Sequence, residues 1–307
     1  MDKPINRRQL LGSSAAALAA TAVSGAGYAA QTTSPAREYV RRDGIPPRRF
    51  KLGLVTYNLA KDWDLPTIIQ RCQELHLEAV ELRTGQKHGV EPDLSKTQRQ
   101  EVRKRFADSP VVLWGLGSTC QFHEPDPASV ARNIEEAKRF IELAHDVGAR
   151  GVKVRPNGLP KEVSPDKTLE QIGRSLHTCG QAAADMGVEL WVEVHGSGTC
   201  LPPNMRKIMD LADHSNVGAI WNSNYPLDLV DGSVETGFKL LADKIKSVHI
   251  NELTCGYPYR ELFDLLRNRG YDRYTLIEAQ SLASPDPQDT LRFARYYAAL
   301  WDALSRA

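Results

Sequence analysis

The stretch LWVEVHGSGT, residues 190–199, begins as a strand buried on both faces and then departs from that pattern. Leu190, Trp191, Val192 and Val194 suit a sheet covered on each side. Glu193 and His195 are two positions apart, so the pleat turns both toward the same side of the strand. Burial of a carboxylate and an imidazole is costly unless something nearby compensates them. Gly196 and Gly198 follow at once, and are expected to leave room for a ligand and to let the chain turn sharply.

Outward from this stretch, one rhythm runs through the chain. Short apolar runs rich in Val, Ile, Leu and aromatics lie at 51–58, 79–83, 111–116, 151–156, 188–194, 217–222, 245–251 and 274–279. Amphipathic stretches separate them, at about 64–76, 95–107, 127–147, 165–186, 203–213, 233–243, 258–269 and 287–304. Asp126 and Pro127 form a cap and first-turn pair, Gly148 is a stop, and Ser95 and Ser233 are candidate caps. Eight strands, each followed by a helix, predict a single-domain α/β fold over residues 50–307, a (β/α)8 TIM barrel. A doubly wound sheet is the competing architecture, but no GxGxxG follows the first strand.

Composition narrows the function classes. Of 307 residues, 41% are hydrophobic and 25% charged, with a formal net charge of +1, which offers no general attraction to nucleic acid or acidic lipid. The N-terminus carries Arg7 and Arg8 in NRRQLLG, then an uncharged stretch rich in Ala, Gly and Ser up to Ala36. This pattern predicts an export signal over residues 1–30, and the arginine pair resembles a twin-arginine signal. A polar lead-in over 31–49 follows. The mature protein is then expected in the periplasm or outside the cell, the alternative being a membrane anchor formed by an uncleaved signal. The five cysteines (Cys72, Cys120, Cys179, Cys200 and Cys255) are widely spaced with no CxxC, and read as mostly buried apolar residues.

In such a barrel the site is built at the C-terminal ends of the strands. The polar residues there are Glu81 and Arg83 (strand two), Lys153 and Arg155 (four), Glu193 and His195 (five), and Asn222 and Asn224 (six). Strand seven adds His249, Asn251 and Glu252, and strand eight adds Glu278 and Gln280. His123 lies in the loop after strand three, and His88 and Glu91 in the loop after strand two. Glu193, His249 and Glu278 would converge on one mouth, and two carboxylates with an imidazole suit a divalent cation such as Mn²⁺, Mg²⁺, Co²⁺ or Zn²⁺. Lys153, Arg155, His123 and Glu81 are candidates for substrate contacts or for a rim of ion pairs, and His195 for contact with a substrate hydroxyl or the metal, or for a supporting hydrogen bond. Trp114, Trp191 and Trp221 fall in strands and are expected to fill the core.

The order VEVHG, VHIN and LIEA on strands five, seven and eight resembles the xylose isomerase-like barrels, the sugar phosphate isomerase/epimerase superfamily. The resemblance implies a metal held at Glu193, Asn222, His249 and Glu278, with Glu193 and Glu278 also transferring protons. It departs at Asn222, in AIWNSN, where the family has Asp, and at Asn251–Glu252, where the family's strand-seven motif HxKD becomes HINE. Asn ligates through a neutral carbonyl oxygen, so weaker metal binding is expected.

The resemblance thus implies metal-assisted isomerisation or epimerisation of a sugar through an enediolate. The alternatives are a lyase or hydrolase acting on keto-glycosides, and a non-catalytic carbohydrate-binding protein with a weakened metal site. The endonuclease role known on the same fold needs more histidines at the mouth than this chain offers, and export removes it from chromosomal DNA. The expected partners are a small-molecule carbohydrate, the twin-arginine export machinery for the precursor, and a second copy of the chain if it forms a homo-oligomer.

Overall fold

Eight parallel strands close on themselves in sequence order, β1 (Lys51–Val55), β2 (Ala79–Arg83), β3 (Val112–Gln121), β4 (Gly151–Arg155), β5 (Glu189–Glu193), β6 (Val217–Asn222), β7 (Ile245–Ile250) and β8 (Tyr274–Ile277). The structure is a computed structural model that describes residues 47–280, 282 and 286–306; the expected leader, 1–30, and the lead-in up to residue 46 lie outside them. The helices are α1 (Leu65–Glu74), α2 (Lys96–Ala107), α3 (Pro127–Val147), α4 (Pro165–Asp185), α5 (Pro202–Ala212), α6 (Glu235–Leu241), α7 (Tyr259–Asn268) and α8 (Pro287–Arg306). This is the (β/α)8 barrel that the repeating pattern predicts. Among the described residues, no helix is long and apolar enough to cross a membrane.

Local chemistry sets the element ends. Ser95 caps α2 in a reciprocal box with Gln98, and Asp126 accepts from the Ala128 and Ser129 amides ahead of Pro127. Gly148, at φ 81°, ends α3 in the left-handed conformation. Ser233 falls one residue short of its expected role. Val234 is the N-cap of α6, while the Ser233 hydroxyl accepts from the Glu235 amide and donates to Glu261.

The strand pattern divides the core in two. Outward residues such as Leu54, Val80, Val152, Val192 and Val248 pack under the helices. Inward residues form a smaller cluster of Val55, Ala79, Trp114, Trp191, Ile220 and Leu276 inside the barrel. Trp114 and Trp191 stack there with ring centroids 5.0 Å apart. Gly115 and Gly151 make the stack possible, since a Cβ on either would lie 2.8 or 2.5 Å from the Trp191 ring. Trp221 points the other way, packing on Phe238. All three tryptophans are buried, as expected of core residues.

At the N-terminal foot of the barrel, Glu189 binds Arg273 at 2.7 and 3.0 Å, Arg150 at 2.7 Å and the Trp191 indole N–H at 2.8 Å. Burial opposes the charge of Glu189, but hydrogen bonds from Arg273, Trp191 and Arg150 outweigh it and lower its pKa to about 2. The foot is closed by aromatic rings and ion pairs. Chemistry is left to the other end.

Candidate active site

Four residues above Glu189, the same strand presents Glu193. Register places the inward residues of neighbouring strands side by side: Lys153 pairs with Trp191, Glu193 with Ile220, Asn222 with His249, and His249 with Leu276. Glu278 lies one residue beyond β8, held by its amide on the Ile250 carbonyl at 2.9 Å. Above the Trp114–Trp191 layer the inward positions therefore turn from apolar to charged.

Glu193 is the most heavily engaged group. Its Oε2 accepts from Lys153 Nζ at 2.9 Å, and its Oε1 accepts from Asn222 Nδ2 at 3.0 Å. His249 Nε2 lies 3.2 Å from Glu81 Oε2. The other ring nitrogen, Nδ1, makes no hydrogen bond of good geometry and lies 3.3 Å from Glu278 Oε2 and 3.8 Å from Glu193 Oε1. Glu193, Lys153, Glu81 and His249 are all buried, while Glu278 keeps partial exposure.

The charges in this cluster hold one another. Burial opposes ionisation of Glu193, but the Lys153 ammonium, His249 and His195 keep its carboxyl well below the usual range. Burial would lower the pKa of His249, but with protein groups alone around it the Glu278 and Glu81 carboxylates raise it well above the ordinary value. Lys153 behaves likewise: desolvation is outweighed by Glu193, Glu81 and Glu278, and the ammonium stays charged.

These groups open into a cavity of about 170 Å³ at the C-terminal mouth. Its lining includes Lys153, Arg155, Glu193, His195, Asn222 and Glu278, all singled out from the sequence as site residues. Glu81, His123 and His249 are not part of that lining, although His249 lies against Glu193 and Glu278, which are. Glu81 stands behind His249, and His123 faces Gly158 in the loop after β4, with Nε2 3.6 Å from Glu124. The lining also takes in Arg83, Asn251 and Gln280, which are strand-end residues, and Tyr57 and Asn58, which the sequence reading did not single out. The signal for the last two was present, since they lie just past the C-terminal end of β1, after Thr56.

Gly196 and Gly198 do have positive φ, 92° and 77°, as a sharp turn requires. The room they leave is used by protein, however. A Cβ on Gly196 would lie 2.5 Å from the Asn157 backbone, and one on Gly198 would lie 2.6 Å from Leu159. They seat the loop after β4 against β5 and do not clear space for a ligand.

A divalent cation fits the donor set. Ligand atoms of Glu193, His249 and Glu278 lie within 4.8 Å of one another. Two buried polar atoms nearby, His249 Nδ1 and Asn222 Oδ1, have no hydrogen-bond partner. Carboxylate, imidazole and carbonyl donors suit Mn²⁺, Mg²⁺, Co²⁺ or Zn²⁺. With Nε2 directed at Glu81, the imidazole is oriented to offer Nδ1.

Comparison with known proteins agrees with this architecture. The xylose isomerase-like TIM barrel family model matches residues 69–297. Among solved structures, the chain is similar to the 3-keto-D-glucoside 4-epimerase of E. coli, with a TM-score of 0.67 and 15% identity over 83% of this chain and 99% of that one. It is similar to the D-psicose 3-epimerase of Clostridium cellulolyticum, with a TM-score of 0.71 and 13% identity over 84% and 100%. It is also similar to the IolI protein, solved with a bound zinc atom, with a TM-score of 0.68 and 15% identity over 84% and 99%. At these identities the likeness is one of fold. No curated protein matches the sequence. The family match spans most of the described barrel, and the chain belongs to the xylose isomerase-like TIM barrel family.

Proposed function

We propose that this protein is a divalent-metal-dependent epimerase or isomerase of a sugar or sugar derivative, moving a proton at the carbon next to a carbonyl. The observation that carries this reading is the convergence of Glu193, His249 and Glu278, ligand atoms within 4.8 Å, at a polar cavity. Two of the similar structures are sugar epimerases, which supports it.

Glu193, His249 and Glu278, with the Asn222 carbonyl oxygen, would hold the cation, which supplies Lewis-acid polarisation of the substrate's carbonyl and neighbouring hydroxyl. The protein's own groups do the rest. One of Glu193 and Glu278 removes the proton α to the carbonyl, and the other returns a proton to the enediolate. Glu278 is the freer of the two, because both oxygens of Glu193 already accept hydrogen bonds. Arg155, His195, Asn251 and Gln280 line the cavity and offer polar contacts to substrate hydroxyls.

The test is an assay of ketoses, aldoses and keto-glycosides with added Mn²⁺ or Co²⁺, beside a Glu278→Gln variant. We expect exchange of the α-proton with solvent and a loss of about 10²-fold or more in the variant. No retained metal, together with a variant equal to the parent on every active substrate, overturns the mechanism. Asn222 favours a second reading, a sugar-binding protein with a weakened metal site, because the neutral amide donates to Glu193. Substrate binding without turnover or proton exchange would establish that reading instead. We further infer export through the paired arginines of the leader. Substitution of Arg7 and Arg8 together by lysine should leave the protein in the cytoplasm on cell fractionation.

A further inference from the structure

The fold alone gives Lys153 no evident reason to be charged. A buried ion pair contributes little net stability compared with well-packed apolar side chains. The inward position on β4 could have continued the apolar layer set by Trp191, its register partner. Instead it carries a lysine beside Gly117 of β3, where a Cβ would lie at ordinary contact, 3.5 Å, from Lys153 Cε but only 2.9 Å from Glu81 Oε1.

Lys153 is 4% exposed and belongs to the lining of the cavity. It has three N–H donors, and among the described residues its one hydrogen-bond acceptor is Glu193. The remaining donors are available to whatever enters. Close by, Asn222 contributes an amide and no charge. The donor set offered to a divalent cation is therefore two carboxylates, one imidazole and one neutral oxygen, with a fixed positive charge against one of the carboxylates.

Resting on the function proposed above, we propose that Lys153 is a catalytic residue: a tethered cation whose free N–H groups bind the substrate oxygen that becomes negative as the α-proton leaves. In that step the C–H bond breaks and its proton passes to a glutamate carboxylate. The electron pair forms the C–C π bond of the enediolate, and the former carbonyl oxygen takes the charge. No oxidant or reductant enters. A donor held in place beside a developing oxyanion stabilises the transition state without reorganisation. Lys153 thus shares this role with a divalent cation that it also repels, so the site trades metal affinity for a permanent charge of its own.

Two measurements on the full chain test this. Calorimetric titration with Mn²⁺ needs no substrate: Lys153→Met should bind Mn²⁺ about tenfold more tightly than the parent, and Lys153→Arg within about threefold of it. On any substrate that the parent turns over, at saturating Mn²⁺, Lys153→Met should lose about 10²-fold in kcat with KM nearly unchanged. Lys153→Arg should recover part of that loss. Lys153→Gln replaces Lys153→Met if circular dichroism shows the latter unfolded. A folded variant that binds Mn²⁺ no more tightly than the parent overturns the proposal, whether or not either binds it measurably. So does one that keeps the parent's kcat. Failure to find any substrate would count against the proposed function, while the metal titration would still decide the charge of the site.

Discussion

Glu81 is absent from the cavity lining, yet it decides which nitrogen His249 offers there. Its carboxylate lies 3.2 Å from Nε2, inside a wholly buried pair, and leaves Nδ1 toward Glu278 and Glu193. Supporting carboxylates of this kind fix the tautomer and ring orientation of a ligating histidine. Glu81→Gln should therefore lower divalent-metal affinity about 10- to 100-fold, read by calorimetry, with little change in the circular dichroism spectrum. At Asn222 the expected effect has the opposite sign. Asn222→Asp adds a negative charge beside Glu193 and should raise metal affinity by about tenfold or more in the same titration. No change in that variant would mean that residue 222 is not part of the cation site.

The fit between inward glycines and the tryptophan stack belongs to the scale of elements. Gly151→Ala would place a methyl group 2.5 Å from the Trp191 ring, in a layer with no slack. Overpacking of this kind should cost about 1–3 kcal/mol, measured as a lowered Tm. The strands themselves were legible in the sequence because burial on both faces makes each a short apolar run, and the helices because their apolar stripes recur at helical spacing. β3 shows where this fails. It continues to Gln121 through Gly117, Ser118 and Thr119, and polar or small residues do not announce a strand. The site was legible to the extent that charged residues stand at strand ends, as Glu193, His249 and Glu278 do. Pairing was not legible. Nothing in spacing says that Lys153 meets Glu193 and not Glu91, which instead binds Thr84 and the Gly85 amide. Nor does His123, placed in a loop by its sequence, reveal that it falls outside the cavity lining.

At the scale of the whole molecule, the barrel has a structural end and a chemical end, and acid should separate them. Glu189 at the foot has a folded pKa of about 2, below the unfolded value near 4.5. A depressed carboxyl pKa contributes stability that is fully present above the unfolded pKa and is lost as pH falls toward the folded one. This contribution, of the order of 3 kcal/mol, should vanish between about pH 4.5 and pH 2. Denaturation by urea across that range should show a steep loss of stability in the parent. Glu189→Gln should be less stable at neutral pH and should show a shallower decline. A parent and variant with parallel profiles would mean that the foot does not carry the acid sensitivity. β5 joins the two ends, with Glu189 at its base, Trp191 in the layer above and Glu193 at the cavity. The Arg150–Glu189–Arg273 clasp fixes the register of β5 from below, independently of anything at the mouth. Residues at the mouth can therefore be exchanged without the strand losing its place. A lineage built on this barrel is free to drift from one substrate to another, and an engineer could redesign the mouth while keeping the foot as an unchanged chassis.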